Sequence, residues 1–359
     1  MELVIRAHYF HKWLKLSYLF TLSIVFYYTP SYCQSAPSEI ACIGFYNLEN
    51  LFDTFRDTNI LDEEFTPKGS KSWTLEKYNE KLNNLASVIS DLGKNRTPNG
   101  AILLGVSEIE NRGVLRDLLA TKLLSKEGFQ IIHYDSKDSR GIDVALLYKS
   151  NFFKVLESTH FPVLLTDSLN GSKYTRDVLL VKGVLGGEIV YVTVNHWPSR
   201  RGGTKATNSY RVQVADLNYH LFDSIRKIDS APAFIIMGDL NDNPTNESIR
   251  KHLFSKNKPN QLTDSSLFNP FYEKFKNGEG SLAHNDSWSM FDQILISKKL
   301  AIPAPSQFQY FDNEIYHREF MIELQGHFKN YPKRSFNGDI WNNGFSDHFP
   351  VLIYLLKKK

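Results

Sequence analysis

Residues 234–244 read FIIMGDLNDNP, an apolar run that stops at a glycine and is followed by acids and amides in alternation. The apolar half begins after Pro232 and predicts a buried strand, and Gly238 lets the backbone turn where that strand ends. Asp239 and Asn241 occupy alternate positions, so their side chains would share one face if the strand continued that far. A carboxylate beside an amide is costly to bury without partners and suits an oxygen-ligand site.

The same pattern, an apolar strand followed by acid, amide or imidazole side chains, recurs along the chain. The polar residues at these predicted strand ends are Asn47, Glu49, Glu108, Asn195, His196, Asp239, Asn241, Asp292, Asp347 and His348. A single aspartate at a strand end is usually a turn former or a helix cap. Because packed sheets gather strand ends on one rim, the repetition predicts that these groups converge on one site.

Composition places the chain among ordinary globular proteins. It has 359 residues, of which 42% are hydrophobic and 23% charged, and its formal net charge is +3. This balance gives no support for binding nucleic acid by bulk charge, although a local basic patch around Arg200, Arg201, Lys205 and Arg211 stays open. Since no linker or repeat follows residue 40, we expect one domain over residues 40–358.

The periodicity predicts many strands with helices at intervals, and several strands are joined as hairpins. Helices are expected over residues 73–93, 114–126 and 205–230, the first capped by Thr74. Residues 301–340 are expected to be irregular. Together these elements favour a mixed α/β layering over a simple parallel sheet.

The N-terminus resembles a targeting segment. Residues 1–15 are basic, residues 16–28 are mostly apolar, and small residues precede Cys33, so residues 1–33 are interpreted as a cleaved secretory signal. A membrane anchor is the alternative, but the apolar run is shorter than the roughly 20 residues that a span needs. Cleavage would leave Cys42 as a single cysteine, without an internal disulfide.

The residue types at the strand ends restrict the chemistry. No cysteine cluster or helical histidine pair suggests zinc, whereas carboxylates and amides suit a hard cation such as magnesium or calcium. The sequence contains neither a Gly-x-Ser-x-Gly elbow nor a Gly-x-x-x-x-Gly-Lys loop. A cation, histidines among acids, amide donors and arginines together indicate hydrolysis of a phosphate ester by activated water.

The motifs resemble those of the endonuclease/exonuclease/phosphatase superfamily, the deoxyribonuclease I-like proteins. In chain order they are FYNLEN with Asn47, SEIEN with Glu108, NHWPS with His196, GDLN with Asp239 and Asn241, FDQI with Asp292, and SDH with Asp347 and His348. The resemblance implies a four-layer α/β sandwich, in which two packed mixed β-sheets are flanked by helices. Residues 73–92 and 139–148 also resemble a branch of secreted bacterial nuclease-like members.

The resemblance implies a divalent cation, Mg²⁺ with Ca²⁺ or Mn²⁺ as alternatives. Glu108 would be its principal ligand, with Asn47 and Asp347 near the ion. Many nucleases of this group carry Gln before the metal-binding glutamate, whereas here the residue is Ser107. This departure concerns the surroundings of the ligand and not the ligand itself.

The resemblance also implies catalytic roles. His348 would contact the scissile phosphate or act as a base, oriented by Asp292. Asp239 would position or deprotonate the attacking water, and Asn241 would hydrogen-bond the phosphate.

A second histidine and three arginines complete the implied site. His196 would be the second catalytic histidine, and we assign Asp143 as its carboxylate partner. Arg140, Arg176 and Arg200 are candidate phosphate clamps, because a guanidinium binds phosphate oxygens bidentately.

These observations predict a secreted, monomeric, magnesium-dependent phosphodiesterase without a stable membrane anchor, an endonuclease with nucleic acid as its substrate. The alternative keeps the chemistry and changes the substrate, giving a sphingomyelinase-like or inositol-phosphate hydrolase whose aromatic segment 308–316 would face a membrane. A third possibility, a binding module without activity, would require losses among the motif residues, and the sequence shows none.

Overall fold

The computed structural model describes residues 38–167 and 171–358. The proposed signal segment, residues 1–33, lies outside these ranges. Within them, the strands in chain order are β1 (Ser38–Leu51), β2 (Ala101–Ile109), β3 (Phe129–His133), β4 (Asp143–Lys149), β5 (Phe153–Asp167), β6 (Gly171–Leu185), β7 (Glu188–His196), β8 (Ala233–Asp239), β9 (Ser255–Lys256), β10 (Leu267–Phe268), β11 (Leu282–His284), β12 (Ser287–Ser289), β13 (Asp292–Ser297), β14 (Gln309–Ile315), β15 (Phe336–Asn337), β16 (Ile340–Trp341) and β17 (Val351–Lys358).

The α-helices are α1 (Leu75–Asp91), α2 (Arg112–Ala120), α3 (Asn208–Ile228), α4 (Tyr272–Lys276) and α5 (Lys298–Ala301). The predicted cap of α1 is observed, since Thr74 Oγ1 accepts a hydrogen bond from the backbone N–H of Lys77. Short 3₁₀ turns and one π turn complete the elements (Glu63–Phe65, Ser248–His252, Pro259–Gln261 and Glu319–Met321). Among the described residues, no helix is both long and apolar enough to cross a membrane.

Two large mixed sheets form the centre of the fold. The first has six strands in the order β14-β17-β1-β2-β4-β3, and the second has seven in the order β5-β6-β7-β8-β13-β10-β9. β1 pairs with β2 in parallel, as does β7 with β8, whereas β13 is antiparallel to β8. The predicted four-layer sandwich is confirmed.

The hydrophobic core lies in two clusters, one on each face of the second sheet. Alternation along β8 explains this division: Ile235 and Met237 pack in the larger cluster between the sheets, while Phe234 and Ile236 pack under α3 in the smaller one. Gly105 on β2 allows the sheets to approach, since a Cβ there would lie 2.5 Å from the Sδ atom of Met237.

Residues 301–340 differ from the sequence prediction. This segment contains β14, which pairs antiparallel with β17 at the edge of the first sheet. The aromatic segment 308–316 is therefore largely a strand of the first sheet and not a loop. The sequence of β14 does not show a regular apolar alternation, because Asp312 and Asn313 interrupt the apolar positions. The pairing with β17 shifts register between Tyr310 and Asp312.

Candidate active site

The register of the second sheet places three predicted site residues side by side. His196 ends β7 and pairs with Asp239 at the end of β8, and Asp239 in turn pairs with Asp292 at the start of β13. Neighbouring strands lie about 4.8 Å apart, so the three side chains meet on the rim of the sheet. Asp239 is therefore the centre of the site.

His348 forms a short hydrogen bond with Asp292. Its Nδ1 atom lies 2.6 Å from Asp292 Oδ2, and the same oxygen accepts a hydrogen bond from the Ser281 hydroxyl. The Nε2 atom of His348 is directed to the other side, 4.0 Å from Asp239 Oδ2. The pair therefore holds the imidazole with one nitrogen facing Asp239, and the contact between Asp292 and His348 is the one that the resemblance implied.

The first sheet contributes an amide and a carboxylate from the ends of β1 and β2. Asn47 Nδ2 donates to Asp239 Oδ2 at 3.2 Å, although the two residues are 192 positions apart in sequence. Glu108 Oε1 lies 3.7 Å from His196 Nε2, which is itself 3.6 Å from Asp239 Oδ2. The rims of both sheets thus meet around one carboxylate oxygen.

The two histidines have opposite electrostatic surroundings. Burial and the charges of Arg176, Arg140 and His348 lower the pKa of His196 well below its usual value. Burial also disfavours the cation of His348, but the carboxylates of Asp292 and Asp239 outweigh it and hold the pKa of His348 well above its usual value. One imidazole is therefore neutral near pH 7 and the other is a cation.

Asp239 is a buried carboxylate in a crowded acidic environment. Burial raises its pKa to about 7, with contributions from the charges of Asp292 and Glu108, while His348 acts in the opposite direction. A group that titrates near neutral pH can accept and release a proton during turnover.

The backbone around the site adopts left-handed conformations that are uncommon outside glycine. Glu49, Asn50, Glu108 and Asn241 have φ angles of 51°, 52°, 57° and 49°. Asn50 donates its backbone N–H to Glu108 Oε2 at 3.0 Å, which fixes that carboxylate against the end of β1. Such conformations concentrate at functional sites, where the surrounding structure imposes them. These left-handed residues also interrupt the alternation of side chains along a strand. Asn241 therefore does not share one strand face with Asp239, as the sequence pattern had suggested.

The predicted cation ligands are gathered at the ends of β1 and β2 and in the loop before β17. The Ser346 hydroxyl donates to the backbone carbonyl of Asn47 at 2.7 Å, which holds the loop of Asp347 against the end of β1. Asn47, Glu108 and Asp347 offer carboxylate and amide oxygens, the donors that hard divalent cations prefer. The residues present therefore fit such a cation.

A second group could also ligate a cation. Single ligand atoms of Asp239, Asp292 and His348 lie within 4.8 Å of one another. The short bond between His348 and Asp292 already occupies one nitrogen and one oxygen of this group. We therefore interpret it as an acid–base pair beside Asp239.

Asn241 lies beside Asp239 after β8, and its side chain is anchored to the loop that follows β7. Its backbone N–H donates to Asp239 Oδ1 at 3.0 Å, and its side-chain amide donates to the carbonyl of Trp197 at 3.0 Å. Arg176 donates to the same carbonyl and to Asp138 Oδ2. Arg176 is buried, and its contacts stabilise this loop.

The other arginines separate into anchored and exposed ones. Arg200 donates to the carbonyl of Asn241 and to Asp242, and Arg211 is fully buried against the same Asp242 carboxylate. The basic patch that the sequence suggested is therefore wrong for Arg200 and Arg211, which are ion-pair partners of Asp242, while Arg201 and Lys205 are exposed. Arg140 is exposed, and its nearest carboxylate, that of Asp138, lies 3.8 Å from its Nε atom.

The predicted pairing of Asp143 with His196 is wrong. Asp143 Oδ2 lies 3.1 Å from His133 Nε2, and its other oxygen accepts the backbone N–H of Ser136. The carboxylates within 4 Å of His196 are those of Glu108 and Asp239, and His196 Nδ1 has no hydrogen-bond partner among the described residues. His133 sits opposite Ala145 on the neighbouring strand, which brings it to Asp143.

Two supporting residues were missed by sequence reasoning. Ser281 holds Asp292, and Lys81 of α1 is buried beside Glu49. A lysine on the apolar face of a helix is a detectable signal, since Lys81 lies among Tyr78, Leu82 and Leu85. Ser281 has no comparable signature, because its partner is set by the β11–β12 hairpin.

A two-sheet sandwich with histidines and carboxylates on one rim is the architecture of the deoxyribonuclease I-like phosphoesterases. The sequence profile of the Endonuclease/Exonuclease/phosphatase family matches residues 42–357, and the chain belongs to that family. The resemblance found in the sequence is therefore confirmed.

Solved structures share this fold at low sequence identity. A family protein from Bacteroides thetaiotaomicron is 15% identical with a TM-score of 0.51, and the match covers 90% of this chain and 97% of that one. Zebrafish (D. rerio) TDP2, solved with a single-strand DNA product, is 12% identical with a TM-score of 0.51, covering 88% and 99%. Caenorhabditis elegans TDP2 is 13% identical with a TM-score of 0.51, covering 88% and 97%. No curated protein sequence matches the chain.

Proposed function

We propose that this chain is a divalent-cation-dependent phosphodiesterase that cleaves nucleic acid internally, as an endonuclease. The observation that carries the proposal is the position of Asp239 between two histidines, with His196 at 3.6 Å and the Asp292-bound His348 at 4.0 Å. The distances are longer than hydrogen bonds, as is common for catalytic groups before substrate binds.

Each of these residues has a separate role when water attacks phosphorus. Asp239 accepts the proton of the attacking water as the new P–O bond forms. The P–O bond to the leaving nucleotide oxygen breaks, and that oxygen takes a proton from solvent. His196 stays neutral beside Asp239. His348, kept cationic by Asp292, donates a hydrogen bond to a phosphoryl oxygen as negative charge develops. Asn241 keeps one amide N–H for the phosphate, because only one is needed for the Trp197 carbonyl.

Asn47, Glu108 and Asp347 would hold the cation, with Mg²⁺ as the proposed ion. When bound, a divalent cation neutralises phosphate oxygens and stabilises the charge of the transition state. Glu108 is already oriented by the backbone of Asn50.

Nucleic acid is the proposed substrate class. The exposed guanidinium of Arg140, one of the charges that lower the pKa of His196, is the proposed phosphate contact. The shared fold of zebrafish TDP2, which was solved with a single-strand DNA product, supports this substrate class at the level of architecture.

The proposed enzyme is exported, with residues 1–33 as its signal segment, and acts as a monomer without a membrane anchor. The basic and then apolar composition of that segment supports export. N-terminal sequencing of protein from the periplasm or medium should begin after Cys33, and light scattering should give the mass of one chain. Recovery of uncleaved chain from membranes would contradict export.

A substrate panel tests the proposed activity. Supercoiled plasmid, single-stranded DNA, RNA, sphingomyelin liposomes and an inositol phosphate are incubated with the wild type and with Asp239→Ala, each with Mg²⁺ and with EDTA. We expect plasmid nicking that EDTA and Asp239→Ala both abolish. Cleavage of sphingomyelin or the inositol phosphate without plasmid nicking would overturn the nuclease proposal.

A lipid phosphodiester is the second candidate substrate. Phe320, Leu324 and Phe328 are exposed large apolar side chains on one segment, and this segment leads to Arg334, which pairs with Asp347. Exposed apolar side chains near a reaction centre can contact an acyl-chain surface. The liposome sample in the panel separates the two candidates.

A further inference from the structure

Lys81 is a buried cation beside the candidate cation site. It lies on the inner face of α1, and its side chain is 1% exposed. Lysine is almost never fully buried unless it is paired, because burial removes a strongly hydrated charge from water. The position of Lys81 therefore calls for a reason beyond packing.

The ammonium group of Lys81 joins three separate segments. It donates to the Ser335 hydroxyl at 2.5 Å and to the Phe345 carbonyl at 3.4 Å, and it lies 3.6 Å from Glu49 Oε2. Glu49 Oε2 also accepts the backbone N–H of Ser335 at 2.7 Å. Helix α1, the end of β1 and the segment 333–347 are thus fastened at one point.

Both fastened segments carry proposed cation ligands. Glu49 follows Asn47 by two positions, and its backbone N–H donates to Asn47 Oδ1 at 2.9 Å. Phe345 precedes Asp347 by two positions, and the Ser346 hydroxyl between them donates to the Asn47 carbonyl. The charges acting on Lys81 are those of Glu49, Asp347 and Glu108. Lys81 touches none of the reacting groups.

We propose that Lys81 is a positioning residue that sets the divalent-cation affinity of the site, by holding Glu49 and the segment 333–347 so that the oxygens of Asn47 and Asp347 face Glu108. This inference rests on the cation site of the proposed function. Residues that orient metal ligands typically change affinity about 10- to 100-fold when they are replaced.

The test separates position from charge. Lys81→Met removes one positive charge, whereas the double variant with Glu49→Gln also removes one negative charge and leaves the net charge unchanged. A glutamine at position 49 can still accept the Ser335 N–H. Lys149→Met is the matched control, because Lys149 is also buried and forms an ion pair, with Glu127 at 2.6 Å. Lys149 lies at the far end of β4, whereas the opposite end of that strand, at Asp143, pairs with Ile109 beside Glu108.

Mn²⁺ binding is measured by calorimetry, and hydrogen exchange is followed in residues 333–347. We expect both Lys81 variants to weaken Mn²⁺ binding at least about tenfold and to speed exchange in this segment, while Lys149→Met loses thermal stability with unchanged affinity. Affinity within twofold of wild type in the double variant, or unchanged exchange, would overturn the inference. A wild type that binds no Mn²⁺ would instead refute the cation dependence of the proposed function, and the exchange measurement would still test the anchoring by Lys81.

Discussion

At the scale of single residues, the site is defined by which partner each polar group has. His348 has a carboxylate partner at 2.6 Å, whereas His196 has no carboxylate within hydrogen-bond distance in the described part of the chain. The same side-chain type is therefore held as a cation in one position and as a neutral group in the other. In the proposed mechanism the cationic His348 is the hydrogen-bond donor, and the base is Asp239.

Asp292→Asn should lower the cleavage rate by about 10²- to 10⁴-fold, because His348 would lose the charge that keeps it protonated. The measurement is the initial rate of plasmid nicking at saturating Mg²⁺. Asp216→Asn is the control, since it removes the carboxylate from another histidine pair, His252 Nδ1 to Asp216 Oδ1 at 2.8 Å, on the outer helix α3. A full rate in Asp292→Asn would show that the pair has no catalytic part.

Arg140→Gln should weaken nucleic-acid cleavage and reduce its salt dependence. Each duplex phosphate contact contributes about 0.9 to the slope of log affinity against log salt, so the slope of log kcat/KM should fall by about that amount. Arg201→Gln, which removes an exposed charge after the anchored Arg200, should leave the slope unchanged. Equal slopes in wild type and Arg140→Gln would exclude Arg140 as a phosphate contact.

At the scale of elements, the functional groups sit where strands stop. The left-handed residues Glu49, Asn50 and Glu108 interrupt the parallel pairing of β1 and β2, and the register shifts between Asn47 and Leu51. Such an irregularity turns side chains away from the alternation of the strand. At this end of the sheet the irregularity therefore coincides with the site residues.

The opposite end of the first sheet is held by a charge cluster in which Glu127 accepts from Lys149 and Lys94 at 2.6 and 2.5 Å. Burial alone would raise the pKa of Glu127, but the hydrogen bonds from both lysines lower it below its usual value. The stabilisation is therefore present above the unfolded-state pKa of about 4.5 and is lost as pH falls through the folded-state value.

Glu127→Gln should lower Tm by about 1–3 °C at pH 7, since the cluster is partly exposed to solvent. The difference from wild type should shrink as pH falls from 6 to 3, as followed by thermal unfolding. Glu157→Gln, on the exposed strand β5, serves as the control. A difference in Tm between the two proteins that persists at pH 3 would contradict the proposed contribution of the Glu127, Lys94 and Lys149 cluster.

At the scale of the whole molecule, the site exists because two sheets pack face to face. Asn47 and Glu108 come from one sheet, and His196, Asp239 and Asp292 come from the other. A cation held by Asn47, Glu108 and Asp347 would bind the folded chain and not the unfolded one, so binding should stabilise the folded chain by mass action.

Mg²⁺ at about 100 times its dissociation constant should stabilise the fold by about 2.7 kcal/mol and raise Tm by about 4 °C, and EDTA should reverse the shift. Thermal unfolding of wild type and Glu108→Gln measures this. The Glu108 variant should lose most of the shift, while Asp312→Asn, which removes an acid from the edge strand β14, should keep it. A Tm that does not respond to Mg²⁺ in the wild type would contradict the proposed cation.

The sequence by itself determined most strands of the two large sheets, the three longer helices and the positions of the motif residues, but it missed β14. These are local properties: apolar alternation, the cap of α1 and the polar groups after each strand are written within a few residues of one another. The family resemblance added the prediction of a four-layer sandwich, because the six motifs occur in the same order along the chain as in that superfamily.

Only the tertiary structure decided which groups are partners. Asp143 was assigned to His196 but bonds to His133. Arg176 and Arg200, which were expected to contact phosphate, bind internal acceptors instead, and so does Arg211. Partners such as Asn47 and Asp239 are 192 residues apart, so no local pattern encodes their contact. Strand register and the packing of the two sheets fix such distances, and they depend on the whole chain at once.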